Sequence, residues 1–119
     1  MNNTIRMMNL LTRTTLSRRM PQHRRLTATI IVGYQEQHEV TYDLNHWESI
    51  ERVYVDRELV IEKPMRVHLQ RFRTMEFTVG HGEQHLVQIE FEMNPHHADA
   101  GQKHLRMHVD GYLISTTTV

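Results

Sequence analysis

Apolar and polar residues alternate along nearly the whole chain after residue 25. Within His38–Leu44 the even positions His38, Val40, Tyr42 and Leu44 share one face, opposite Glu39, Thr41 and Asp43. The same period of two runs through Met65–Gln70, Thr74–Val79, His85–Met93 and His104–Val109. Such alternation predicts antiparallel strands with one face inward and one toward water. Asp110-Gly111, set between HLRMHV and YLIS, is a strong two-residue hairpin signal, and Asp56-Arg57 holds the same place with a weaker turn. Pro64 separates two strands, and NPHHADAGQK (94–103) reads as a polar loop. NHWESI (45–50) resists a strand assignment and reads as a loop or a single helical turn.

One phrase occurs twice. VGYQEQHEV (32–40) and VGHGEQHLV (79–87) share Val, Gly, Glu, Gln, His and Val, and each precedes a strand–VD–strand hairpin. The loop between is seven residues longer in the second copy. Two copies are too few for a solenoid, which needs three or more. The expectation is an all-β antiparallel sandwich or flattened barrel of about eight strands, built from two similar units about a pseudo-twofold. Gly33 and Gly80 sit where a strand turns, so each should supply a positive φ or a close backbone approach. His38 and His85 have the parity of the apolar face, at its rim, where anchoring a turn is a better reading than catalysis.

A chain of 119 residues fits one domain, here 26–119, preceded by a basic arm, 1–25. The net charge of zero is a cancellation. Residues 1–35 hold six arginines and no acid, so the remainder carries the compensating −6. A basic arm on an acidic body follows. The arm reads as a loosely attached or disordered tail, as an extension upstream of Met20, as a targeting segment, or as a contact with an acidic partner or with the domain itself. There is no cysteine, which removes disulfides, thiolate metal sites and cysteine nucleophiles. No run approaches the ~18 apolar residues of a spanning helix.

HEVTYDLNHWESIERVYVDRELVIEKPMRVHLQRFRTMEFTVG (38–80) resembles the repeated β-module of the Fas apoptotic inhibitory molecule (FAIM) family. That module opens a strand with His, continues through a polar loop and a VYVD-type hairpin, and ends in an aromatic–x–(Val/Ile)–Gly sequence. FTVGHGEQHLVQIEF (77–91) with HLRMHVDGYLI (104–114) is similar to a second copy. The resemblance implies a compact, non-enzymatic cytosolic β-domain acting through protein contacts; in animals the family is anti-apoptotic and protects against protein aggregation. It brings no catalytic residues. The chain departs from the pattern at Asp56-Arg57, where the family favours Asp-Gly, in its single domain, and in its arginine-rich arm.

Ten histidines make a metal the strongest chemical alternative. His104 and His108 would stand about 13 Å apart on one strand face, too far to share an ion. His96, His97 and Asp99, in the long loop, could fold around Zn²⁺ or Ni²⁺. A metal role predicts a thermal shift with either ion that His97→Ala removes. The carboxylate pairs Glu90/Glu92 and Glu58/Glu62 fall on outward faces. Ser17, Ser49 and Ser115 lie in no nucleophile motif, and there is no phosphate-binding glycine loop. Neither an enzyme nor a cofactor is expected. Nucleic acid is disfavoured, because the body is acidic and lacks a strip of stacking aromatics. The reading is a cytoplasmic protein-binding or scaffolding module, with dimerisation through strand edges and no membrane role. Its partner-binding candidates are Trp47 and His104; Trp47 stands either exposed for a partner or as a plug at the end of the sandwich.

Overall fold

A computed structural model of the chain describes residues 13–16, 25–65, 72–94 and 102–118. These form nine antiparallel strands: β1 Arg13–Leu16, β2 Arg25–Val32, β3 His38–Asn45, β4 Ile50–Val55, β5 Glu58–Pro64, β6 Phe72–Val79, β7 His85–Asn94, β8 Gln102–Val109 and β9 Tyr112–Thr118. Two sheets result, ordered β1-β2-β3-β4-β5 and β6-β7-β8-β9. Among the described residues no helix is long and apolar enough to cross a membrane.

The alternation fills a single core between the sheets. Ala28, Ile30, Val40, Tyr42 and Val53 from one sheet and Val87, Met107 and Val109 from the other are fully buried. Their neighbours at odd spacing face outward, which is why the period of two was legible. Residues 66–71, part of which were expected to form a strand from Met65, lie outside the described residues.

The two-unit plan is real. β2–β5 and β6–β9 are four-strand meanders of the same order. Val32 pairs with His38 as Val79 pairs with His85. Even an irregularity recurs: the β4–β5 ladder shifts register between Val53 and Tyr54, and the β8–β9 ladder between Met107 and His108. Both precede a two-residue turn with positive φ at each central residue, Asp56 and Arg57 in one unit, Asp110 and Gly111 in the other. Bulges increase local twist, and equivalent bulges bend the two hairpins alike.

The ninth strand comes from the arm. Arg13–Leu16 pairs antiparallel with β2, from Arg13 opposite Thr29 to Leu16 opposite Leu26. Contact of the arm with the domain itself is one of the readings the sequence allows, and this short pairing is its form. Four residues of Arg, Thr and Leu give too short an alternation to announce an edge strand.

Candidate functional site

The repeated phrase builds a symmetrical joint between the units. Gly33 and Gly80 follow β2 and β6 with φ of +109° and +105°. The chain then folds tightly, so that three successive backbone N–H groups in each turn point outward together. Such a nest attracts an anion, and each nest receives the glutamate of the other unit. Glu36 accepts from the amides of His81, Gly82 and Glu83 at 2.7, 2.8 and 3.1 Å. Glu83 accepts from the amides of Tyr34, Gln35 and Glu36 at 2.6, 2.8 and 3.1 Å.

A histidine holds each glutamate from behind. His38 Nε2 lies 2.5 Å from Glu36 Oε2, and its Nδ1 lies 2.6 Å from Asp56 Oδ2. His85 repeats this with Glu83 at 2.5 Å and Asp110 at 2.6 Å. Carboxylates offer only lone pairs, so a ring satisfying both neighbours carries both protons and a positive charge. Each aspartate is fixed in turn by the hairpin: Asp56 Oδ1 accepts from the amide of Glu39 and Asp110 Oδ1 from that of Leu86, both at 2.9 Å.

The charges follow this geometry. The hydrogen bond from His38, then those from the His81, Glu83 and Gly82 amides, hold Glu36 far below the usual carboxylate range, at about 2. The hydrogen bond from His85 does the same for Glu83, also at about 2. Hydrogen bonds to Asp56 and Glu36 raise His38. Burial pulls His85 down, but Asp110 and Glu83 outweigh it and the net shift is upward. The Asp–His–Glu line resembles a proton relay, yet an imidazolium with both N–H groups committed has no lone pair with which to take a proton. Its chemistry is that of a clasp.

A groove of about 450 Å³ opens beside the clasp, between edge strands β5 and β6. Its walls are Val55, Val60 and Ile61 on one side and Phe77 and Val79 on the other. Asp56 and Glu58 bring charge to it, and His81 lines it as well. At the opposite seam β2 and β9 approach one another. Edge strands β5 and β6 carry Leu59, Val60 and Phe72, each about half accessible, and β9 carries Tyr112 and Leu113 exposed to a similar degree.

The residues singled out from sequence are scattered. Trp47 stands in the turn between β3 and β4 at 62 % exposure, so it is no plug. His104 lies on β8, its Nδ1 3.1 Å from Thr118 Oγ1. His96, His97 and Asp99 fall outside the described residues. Among the described residues no group of three ligating side chains is disposed to hold a metal. The sequence reading placed His38 and His85 as anchors and Asp56 and Asp110 in hairpin turns, but joined neither pair to the other and gave Glu36 and Glu83 no part. Their signal was present: Glu-x-His recurs with an aspartate 18 positions beyond one histidine and 25 beyond the other.

A second polar cluster escaped notice. Glu51 is 2 % exposed within the core, accepts from the Tyr42 hydroxyl at 2.7 Å, and lies 2.9 Å from Arg73 Nε of the other sheet. Burial, followed by the Glu51 charge, pushes the Tyr42 hydroxyl well above its ordinary range. Comparison with models of protein families, with curated proteins and with solved structures gave no match to this chain.

Proposed function

We propose that this chain is a small, non-enzymatic intracellular module that binds protein segments, in the manner implied by its resemblance to the Fas apoptotic inhibitory molecule family. The observation that carries this reading is the groove between β5 and β6. It has apolar walls and a few charged groups, and it adjoins a sheet edge with ladder positions to offer. Strand addition to such an edge supplies affinity through main-chain hydrogen bonds, while pockets for alternate side chains supply selectivity. The clasp histidines support a binding role, because their ring nitrogens are engaged within each unit, holding the glutamate that reaches across to the other.

Selection of a displayed random-peptide library on the immobilised full-length chain tests this. Bound sequences should be extended, with apolar residues at alternate positions. Val60→Glu, an exposed change on the groove wall, should reduce their affinity about tenfold or more, since burying an unpaired carboxylate costs well over ~1.4 kcal/mol. Peptides that bind equally well to the Val60→Glu protein would remove the groove from the reading.

A further inference from the structure

The two units differ at one edge. β2 and β6 are equivalent strands, offset by 47 residues through the shared Val-Gly. β2 carries β1 along its outer edge, whereas the outer edge of β6 carries no strand among the described residues. The inward positions of the two strands register the difference. Ile30 of β2 is fully buried and Leu26 is 2 % exposed, yet their counterparts Phe77 and Arg73 are only partly buried. The fold thus accepts a fifth strand at one edge and leaves the matching edge open beside an apolar groove.

The residues that fill the first edge fit the second. Transferring the β1–β2 register by 47 positions sets Arg13 opposite Glu76, Thr14 opposite Met75, Thr15 opposite Thr74 and Leu16 opposite Arg73. The transfer sets Arg13 in register with Glu76, an exposed carboxylate, where on the first edge its register partner is Thr29. Leu16 loses Leu26 and gains Arg73, which is the poorer half of the exchange. The six arginines and absent acids of residues 1–35, set against a body of charge −6, favour the encounter. The same main-chain bonds form at either edge, so exchange between them costs little backbone hydrogen bonding.

We propose that the open edge of β6 receives residues 13–16 of a second copy of this chain as an added antiparallel strand, with Arg13 of that copy across from Glu76. The inference rests on the binding-module reading and names a partner for it. Each molecule donates one strand and offers one edge, so copies associate either as a reciprocal pair or head to tail.

Sedimentation velocity of the full-length chain at low salt, from micromolar to near-millimolar concentration, measures the association. Beside it stand Glu76→Arg, Arg13→Glu and an equimolar mixture of the two variants. The wild type should associate reversibly, and each reversal should weaken association roughly tenfold, as a favourable cross-strand pair becomes a repulsive one. The mixture should recover it, because the acidic side chain placed at position 13 of one variant faces the basic side chain placed at position 76 of the other. Amides 73–76 should gain hydrogen-exchange protection as concentration rises. Should Glu76→Arg melt early, Arg13→Glu alone decides, since it lies on an edge strand at the margin of the sheet. A monomer at every concentration, association indifferent to Arg13→Glu, or a mixture no tighter than its components would overturn the proposal. Library peptides that bind through the groove of a strictly monomeric chain would sink this inference and leave the binding-module reading standing.

Discussion

A methyl group added at Gly33 would stand 2.0 Å from the carbonyl oxygen of Glu36, on a backbone with φ of +109°. Gly80 faces the same obstacle from Glu83 at 1.9 Å. Gly33→Ala should therefore cost at least ~2 kcal/mol in urea unfolding, combining left-handed strain with a main-chain clash that no rotamer relieves. Arg57 offers the opposite case. It holds φ of +70° where the equivalent position is Gly111, and its side chain is almost fully exposed. Arg57→Gly should stabilise by about 0.5–1 kcal/mol, because relief of left-handed strain exceeds the added freedom of the unfolded chain. The glycines could be read from sequence because a positive φ leaves a composition mark. The clasp carboxylates could not, since a glutamate in a polar turn looks alike whether it faces water or a nest.

Period-two strands are the most legible elements in this chain, and β3, β7 and β8 lie where the pattern put them. What alternation conceals is a polar residue on the inward face with a partner distant in sequence. Glu51 occupies a core position on β4, and its identity makes sense only beside Tyr42 on β3 and Arg73 on β6. Tyr42→Phe keeps the ring but strips one hydrogen bond from a buried carboxylate. It should lower stability by about 1–3 kcal/mol in thermal or urea unfolding. A gain in stability on that change would mean that the cluster is costly to the fold. β1 was hidden for another reason: an edge strand of four residues is specified by the edge it joins.

Two titrations with opposite senses bear on the assembled sandwich. His38 and His85 are raised from 6.5, so the stability they add is complete below about 6.5 and is lost as pH climbs through their folded values. Glu36 and Glu83 are lowered from 4.5 to about 2, so their share is complete above about 4.5 and is lost as pH falls toward 2. Both shares are full only between those bounds. The melting temperature should peak in weak acid, and the double change His38→Gln with His85→Gln should flatten its alkaline decline; an unchanged slope would place the pH response elsewhere. The reciprocity of the joint carries one more consequence. Residue 36 meets residues 81–83 while residue 83 meets residues 34–36, which is the contact rule of an isologous dimer. A gene encoding one half of this chain would already specify both sides of the contact. Duplication and fusion of such a gene would join what had been two molecules without inventing a single new bond.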